Sequence, residues 1–263
     1  MSSGEDVSSK VSNLIELLDS FQPNILCDHS EQLWAFLCEL RQSQNSDKRP
    51  RRRVDIILDN CSIELAADLA LCDFLLRNNF VDEVRLHGKA YSWFVSDVTS
   101  SDLDTFLRQM QSAHGLLTPN NLHRRLLAYS TNGRLIVDFA NFFWTSPHAF
   151  KDMERVVPDF YADLRANSAL LVFKGDLNYR KLLGDLDWPF DTPLLTSFDG
   201  FAPTSVCAIR TIKADLIANL DLDEANNKAY GRVKKKFGEN KVWMTTGDYG
   251  LVQLATVSPQ NSV

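Results

Sequence analysis

The sequence predicts an α/β protein with a mostly parallel sheet, helices on both faces in three layers (α/β/α), and a short N-terminal helical segment. From Val54 onward, short runs rich in β-branched residues alternate with helical patterns, which is typical of strands joined by helical crossovers. The 263 residues suit one large α/β domain. A hydrophobic fraction of 44% is enough for a sizeable core.

Residues 1–52 are predicted to be a helical segment followed by a basic linker. Apolar residues recur at helical spacing in two stretches, Val11, Leu14, Leu17 and Leu18 in the first and Leu33, Phe36, Leu37 and Leu40 in the second. The polar and basic run QSQNSDKRPRRR is interpreted as a solvated linker, in preference to a localisation signal or a nucleic-acid patch. Residues 53–263 then form the predicted α/β domain.

Within residues 53–263 the predicted strands and helices alternate as a parallel sheet requires. The strands are predicted at 54–59, 83–88, 134–139, 169–174 and 206–210, with a hairpin-like pair around 241–255. The helices are predicted at 63–78, 101–113, 121–129, 152–167 and 178–184. The charged segment 221–240 is predicted to be an exposed loop with some helix.

Charge and cysteine content weigh against several classes of protein. A net charge of −6 argues against a nucleic-acid binder, and no apolar run approaches the ~18 residues of a membrane span. The N-terminus lacks the basic and apolar regions of a signal peptide. Five cysteines without a C-x-x-C pair favour a reducing compartment over a disulfide framework or zinc finger. A cytoplasmic location is therefore expected, with the nucleus as the alternative, and the oligomeric state stays open.

Acidic and amide side chains follow two of the predicted strands. Asp59 and Asn60 end the first strand, and Asp97 closes the segment after the second. In open α/β sheets, ligands bind outside the carboxyl ends of the strands. Oxygen ligands of this kind suit a hard or borderline divalent cation such as Mg²⁺ or Mn²⁺.

Basic side chains near the same strand ends suit an anion, most naturally a phosphate. They are Lys174, Arg180, Arg210 and Lys213. Each signal alone is weak, because an Asp-Asn pair after a strand is usually a turn or helix cap and a lone basic residue usually faces solvent. Their convergence at strand ends predicts a metal with a basic clamp, which indicates phosphoryl chemistry on a small phosphorylated metabolite.

Four segments together resemble the damage-control phosphatases, a family once called domain of unknown function 89. They are LDNCSIEL from Leu58, WFVSD from Trp93, KGDLNYRKL from Lys174 and RTIK from Arg210. The Arg-Thr-x-Lys element is similar to that of the third subfamily, and MTTGDYGL at 244–251 resembles the family's C-terminal stretch. The resemblance covers roughly residues 54–254.

The resemblance implies a role for each matching residue. The metal ligands would be Asp59, Asn60 and Asp97, with Mn²⁺, Co²⁺ or Ni²⁺ favoured over Mg²⁺. Residues that touch a substrate such as fructose 1-phosphate or fructose 6-phosphate would be Asp59, Asn60, Asp176, Leu177, Asn178, Tyr179, Arg180, Arg210 and Lys213. The candidate catalytic residues are Asp59, Asp97 and Asp176, and the implied reaction is metal-dependent hydrolysis in metabolite damage control.

Two other functions stay open at this point. One description of the subfamily is a protein-glutamate methyltransferase, and it assigns Glu64 and Asp97 to S-adenosylmethionine. The sequence lacks the Gly-rich turn common in such enzymes. The other alternative is a non-catalytic paralogue that binds a phosphorylated metabolite.

The chain departs from the family pattern in two ways. Cys61, Ser62 and Ile63 stand where the family commonly has Ala-Gly-Phe, and a serine there matters if the backbone requires a positive φ. Only 53 residues precede Val54, where the family has a longer helical region. The expectation is a short isoform, a truncated form or a divergent paralogue.

Overall fold

A seven-stranded sheet forms the centre of the molecule in this computed structural model, which describes residues 13, 15–42, 52–112 and 119–257. The strands are β1 (Ile25–Asp28), β2 (Arg53–Ile57), β3 (Glu83–His87), β4 (Leu135–Asp138), β5 (Ser168–Lys174), β6 (Ser205–Thr211) and β7 (Gly250–Ala255). Their spatial order is β1-β7-β6-β5-β2-β3-β4. Every neighbouring pair is parallel except β6 with β7, which is antiparallel.

Helices cover both faces of this sheet. They are α1 (Ser30–Gln42), α2 (Ile63–Arg77), α3 (Ser100–Ser112), α4 (Pro119–Thr131), α5 (Met153–Val156), α6 (Pro158–Asn167), α7 (Asp176–Leu182), α8 (Leu194–Ser197) and α9 (Lys228–Phe237). The predicted three-layer α/β fold is confirmed.

Strand β2 illustrates why the sheet carries two cores. All five of its residues are buried, as expected for a central parallel strand covered on both faces. Val54 and Ile56 pack with α2 and α4 in one core, whereas Ile57 packs with α6 and α7 in the other. Because successive side chains of a strand point to opposite faces, this one strand contributes to both layers.

An ionic network of largely buried side chains joins β2, β3, β4 and α6. Arg53 Nε donates to Asp55 Oδ2 at 2.7 Å, and its Nη2 donates to Asp163 Oδ2 at 2.7 Å. His87 Nε2 lies 2.8 Å from Asp55 Oδ1, and its Nδ1 lies 3.6 Å from Asp138 Oδ2. Burial opposes a charge on His87, but Asp138 and Asp55 outweigh it and raise the pKa of the imidazole. The network therefore compensates charges that the core could not otherwise hold.

The edge formed by β1 and β7 differs from the prediction. The expected hairpin-like pair around 241–255 is wrong, because Lys241–Thr245 form a 3₁₀-helix and β7 is a single strand that pairs with β6 and β1. Strand β1 was not predicted at all. It comes from the expected helical segment and has four residues, too few to show an alternating pattern.

Several helix boundaries also differ. The helix expected at 152–167 divides into α5 and α6, and Pro158 opens α6 at its first turn, where a missing N–H costs nothing. Helix α7 begins at Asp176, two residues earlier than expected. Segment 221–240 contains α9, with Tyr230 and Val233 buried, so the predicted partial helix is confirmed.

The N-terminal region is described in part. Residues 15–21 are helical, and the second predicted stretch forms α1 with Leu37 buried. Val11, Leu14 and residues 43–51 of the basic linker lie outside the described residues. The domain boundary after residue 52 stays a prediction. Within the described ranges, no helix has the length and apolar content needed to cross a membrane.

Candidate active site

A cavity of about 280 Å³ opens beyond the carboxyl ends of β2, β5 and β6. Helix α2, which follows β2, packs in one core, and α7, which follows β5, packs in the other. The chain therefore leaves the adjacent strands β2 and β5 toward opposite faces. Such a switch point is where open α/β sheets bind their ligands.

Asp59 and Asn60 line this cavity just beyond β2. The amide nitrogen of Asn60 donates to Asp59 Oδ2 at 2.8 Å and to Glu64 Oε2 at 2.9 Å. Ser96 Oγ donates to the amide oxygen of Asn60 at 2.7 Å. Asn60 thus joins the acid at the strand end to the first-turn acid of α2, and its own oxygen is turned toward Ser96.

Asp97 is brought beside Asp59 by the loop that follows β3. An isolated antiparallel bridge pairs Asn60 with Asp97, and Val98 N donates to Asp59 O at 2.9 Å. Asp97 is only 2% exposed, and its Oδ2 accepts hydrogen bonds from the backbone N–H groups of Trp93 and Phe94 at 2.7 and 2.9 Å. The loop therefore holds this carboxylate in one orientation.

Lys89 is a site residue that the sequence reasoning missed. Its ammonium donates to Asp97 Oδ1 at 2.9 Å and lies 3.7 Å from Asp59 Oδ1. Lys89 directly follows Gly88 at the end of β3, so the strand-end rule applied to Asp59 could have identified it. It lies between two of the three predicted metal ligands.

The electrostatics of the site act most strongly on Asp59. Burial raises its pKa to about 6, Lys89 acts in the opposite direction, and the neighbouring Glu64 and Asp97 add to the rise. A carboxyl group with this pKa is ionised above neutral pH. Below about pH 6, protons would compete with a cation for this carboxylate.

The donor atoms fit a divalent cation. Two carboxylates and one amide oxygen, from Asp59, Asp97 and Asn60, are hard oxygen ligands. Among the residues that the structure describes, no group of three or more His, Cys, Asp or Glu is arranged to hold a metal. To serve as a ligand, Asn60 has to turn its oxygen away from Ser96 and toward the carboxylates.

Lys174 lines the cavity but its charge is already paired. Its ammonium contacts Asp68 Oδ1 at 2.7 Å and Glu64 Oε1 at 3.0 Å. Burial would lower the pKa of Lys174, but these two carboxylates outweigh it and raise the pKa. Asp68, on α2, is a second residue that the sequence reasoning missed. Lys174 was predicted to donate hydrogen bonds to a bound phosphate. Glu64 and Asp68 already accept its hydrogen bonds and would compete with that phosphate.

Gly175 allows β5 and Asp59 to approach closely. Its backbone has φ 87°, and a Cβ at this position would lie 1.9 Å from Asp59 Oδ2. No side chain can occupy that space without moving the carboxylate. The Lys-Gly-Asp segment is therefore more than a turn, because it sets how near Asp59 lies to α7.

Asp176, Arg210 and Lys213 meet on the far side of the cavity. Arg210 Nε and the backbone N–H of Lys213 both donate to Asp176 Oδ1, at 2.7 and 3.0 Å. The other guanidinium nitrogens of Arg210 donate to Leu216 O at 2.6 Å and Ala214 O at 2.9 Å. Arg210 thus fixes Asp176 and the loop after β6, whereas the side chain of Lys213 is exposed at the cavity.

The remaining residues of the predicted substrate loop hold α7 in place. Asn178 is fully buried and donates to Leu58 O and Lys174 O, at 3.2 and 2.8 Å. The Tyr179 hydroxyl donates to Gln253 Oε1 at 2.9 Å. Arg180 forms two hydrogen bonds of 2.8 Å with Asp185, and neither it nor Leu177 is among the described residues that line the cavity. Asp176 is the member of this loop that the structure brings to the cavity.

The fold and site define an α/β protein with carboxylates and lysines converging at the switch point of a parallel sheet. The family model described as the damage-control phosphatase ARMT1-like domain matches residues 1–228 of the sequence, and the chain belongs to this family. The resemblance inferred from the four sequence segments is confirmed.

Curated relatives support the same membership. The damage-control phosphatase ARMT1 of Mus musculus is 39% identical over 252 residues, which cover 95% of this chain and 54% of the relative. The protein of the same name from Xenopus tropicalis is 38% identical over 264 residues, with coverages of 97% and 55%. The Homo sapiens protein is 36% identical over 252 residues, with coverages of 95% and 54%. The chain spans about half the length of the curated relatives it matches.

Proposed function

We propose that this chain is a metal-dependent phosphatase that hydrolyses small sugar phosphates, of the fructose 1-phosphate or fructose 6-phosphate type, in metabolite damage control. The observation that carries the proposal is the convergence of Asp59, Asn60 and Lys213 on one cavity, with Asp97 linked to Asp59 through the ammonium of Lys89. The relatives' printed name, damage-control phosphatase, supports the reaction class.

Mn²⁺, Co²⁺ or Ni²⁺, in preference to Mg²⁺, is the proposed cation, and Asp59, Asn60 and Asp97 would hold it. When bound, such a cation polarises phosphoryl oxygens and stabilises the charge that develops on them. Lys213 presents an exposed ammonium to the same cavity and would bind the phosphate as a point charge.

Asp176 would orient the sugar. Both of its described contacts, from Arg210 and from the backbone of Lys213, go to Oδ1. We assign Oδ2 as the acceptor for a sugar hydroxyl or for a proton in transfer. A cavity of about 280 Å³ suits a ligand of the size of a hexose phosphate better than a larger one.

Methyl transfer from S-adenosylmethionine is the rival enzyme function, and no observation favours it over hydrolysis. Of the two residues that it would use, Glu64 is already paired with Lys174 and Asn60. Asp97 is assigned to the metal in the proposed hydrolase. A metal-free protein that methylates carboxyl groups would revive this alternative.

Phosphate release from a panel of sugar phosphates tests the proposal. Metal-stripped protein should be inactive, and Mn²⁺, Co²⁺ or Ni²⁺ should restore release more strongly than Mg²⁺. Asp59→Ala should abolish the restored activity, whereas Asp187→Ala, which removes a surface acid paired with Lys241, should not. Absence of release across the panel from folded, metal-supplied protein would reject the phosphatase.

A further inference from the structure

Lys89 is a buried lysine with no role in the phosphatase scheme given above. Its side chain is 3% exposed, and its ammonium contacts the carboxylates of Asp97 at 2.9 Å and Asp59 at 3.7 Å. Both contacted groups are proposed metal ligands. A buried ammonium needs compensating acceptors, and these two carboxylates provide them.

The backbone fixes the position of this lysine. Lys89 N donates to Val98 O at 3.3 Å, and Gly88 N, one residue earlier, donates to Asp138 O at 3.0 Å. A Cβ on Gly88 would lie 1.8 Å from the ring of Phe139, so the chain at the end of β3 has little room to move. The backbone therefore places Lys89 beside Asp59 and Asp97.

The charge of Lys89 decides the net charge of the site once a divalent cation is bound. Among the described residues, five carboxylates line the cavity or pair with a lysine of the site, those of Asp59, Glu64, Asp68, Asp97 and Asp176. Four cations accompany them, those of Lys89, Lys174, Arg210 and Lys213. The local charge is thus about −1 without a metal and about +1 with a divalent cation. Without Lys89 the same cation would leave the site neutral.

We propose that Lys89 is the internal counter-ion of the metal site. It compensates one of the two negative charges of the Asp59–Asp97 pair when no metal is bound, and it competes with the metal for these carboxylates. It also makes the loaded site cationic, so that the site accepts a phosphate dianion. The inference rests on the proposed metal site. It predicts that one substitution tightens metal binding and weakens phosphate binding, a combination that a packing role would not produce.

The test compares Lys89→Met with Lys181→Met in the full chain at about pH 8. Lys181 controls for the loss of a buried lysine side chain as such, since it donates to the carbonyl oxygens of Trp144 and Ser146 instead of carboxylates. Burial, with the charge of Lys89, lowers the pKa of Lys181 to about 7, so Lys181→Met removes packing and little charge at this pH. Calorimetric titration with Mn²⁺ should give Lys89→Met a Kd at least about tenfold lower than wild type, because a competing charge is gone. Lys181→Met and the charge-conserving Lys89→Arg should stay within about threefold of wild type.

Thermal unfolding gives a second readout that does not involve activity. Lys89→Met should lower the Tm of metal-free protein, because two buried carboxylates lose their cation, and saturating Mn²⁺ should recover most of that loss. Lys181→Met should lower the Tm equally with and without Mn²⁺. Inorganic phosphate should bind Mn²⁺-loaded Lys89→Met about tenfold more weakly than loaded wild type.

Two results would overturn the counter-ion role. One is weaker or unchanged Mn²⁺ binding by Lys89→Met, and the other is a Tm loss, or a failure to fold, that Mn²⁺ does not relieve. If wild-type protein binds Mn²⁺ and Lys89→Met gives either of these results, the proposed metal site stands and only this inference is rejected. If neither wild type nor Lys89→Met binds Mn²⁺, both proposals are rejected together.

Discussion

Ser62 holds a backbone conformation that glycine adopts readily and serine does not. It has φ 74° and ψ −127°, and its side chain makes no capping hydrogen bond at the start of α2. The glycine that the family resemblance implies at this position would adopt this backbone without strain, and this chain tolerates a strained serine between Asn60 and Glu64.

Ser62→Gly should raise the free energy of unfolding by about 1 kcal/mol, because the strain is relieved and no side-chain contact is lost. The midpoint of urea unfolding at constant m-value measures this change. Ala70→Gly, at an exposed position in the middle of α2, should instead destabilise by about 0.5–1 kcal/mol. A destabilised Ser62→Gly would show that the serine side chain contributes more than it costs.

Gly175 offers a second test at the scale of one residue. Gly175→Ala places a Cβ 1.9 Å from Asp59 Oδ2, so it should displace that carboxylate, abolish phosphate release and cost about 2–4 kcal/mol of stability. Gly133→Ala has a similar φ, 74°, with no atom within 4 Å of the new Cβ. It should cost only about 1 kcal/mol and keep full activity. Equal effects of the two variants would contradict the role given to the close approach at Asp59.

Lys213 is the cation that we expect to bind the phosphate. Lys213→Ala should raise KM and lower kcat together, reducing kcat/KM by about a hundredfold, because its charge would act on both the substrate and the transition state. Lys241→Ala, which removes an exposed lysine paired with Asp187, is the control and should leave both constants unchanged. Steady-state phosphate release measures both constants, and unchanged kinetics of Lys213→Ala would remove this residue from the mechanism.

The sequence allowed prediction of part of the site. Whether a residue could be predicted depends on whether its role follows from its place at a strand end or from the residues that it contacts. That Asp59, Asn60 and Lys213 lie at one cavity could be predicted because strand ends in parallel sheets meet at one edge, whereas their roles stay a prediction. The roles of Lys174 and Arg210 could not, because each depends on partners that packing supplies. For Lys174 the decisive partner, Asp68, lies 106 residues away on α2.

At the scale of elements, the central strands could be predicted and the edge strands could not. Strands β2 and β5 are covered on both faces, so buried apolar residues on both faces mark them in the sequence, although β2 also carries the paired Arg53 and Asp55. Strand β1 is short and half-exposed, and it carries no such pattern. Strand β7 lies within the hairpin-like pair predicted around 241–255. Its partner is the distant strand β6, in antiparallel pairing, and not a strand next to it in the chain.

The ionic network that joins β2, β3 and β4 predicts a pH dependence of stability. Asp138 and Asp55 outweigh burial and hold the pKa of His87 above its ordinary value of 6.5. A raised pKa in the folded state means that protonated His87 contributes stability below pH 6.5, and this contribution is lost as the pH rises through the folded pKa.

The difference in unfolding free energy between wild type and His87→Gln should therefore be largest near about pH 6 and shrink toward about pH 9. Denaturant unfolding across this range measures it. His148→Gln is the control, because His148 is 41% exposed and lies 4.0 Å from Asp152. Its difference from wild type should change much less with pH. If the difference in unfolding free energy between wild type and His87→Gln stays constant or increases as the pH rises, the buried imidazole is neutral.

At the scale of the whole molecule, the sheet brings together groups that are far apart in the chain. Asp59, Asp97, Asp176 and Lys213 come from four separate connections, and strands β2, β3, β5 and β6 deliver them to one edge. The two cores on either side hold that edge in place. The convergence follows from topology, so a change in strand order would disperse the site although every local motif remained.

Anomalous X-ray scattering from a crystal of the chain grown with Mn²⁺ and phosphate tests the central claim most directly, because it locates the metal independently of activity. The account predicts the strongest anomalous peak between the carboxylates of Asp59 and Asp97, with the amide oxygen of Asn60 turned toward it. Phosphate should lie beside the peak, within reach of Lys213. A peak elsewhere, or phosphate bound in the cavity with no metal between these carboxylates, would contradict a metal-dependent phosphatase site.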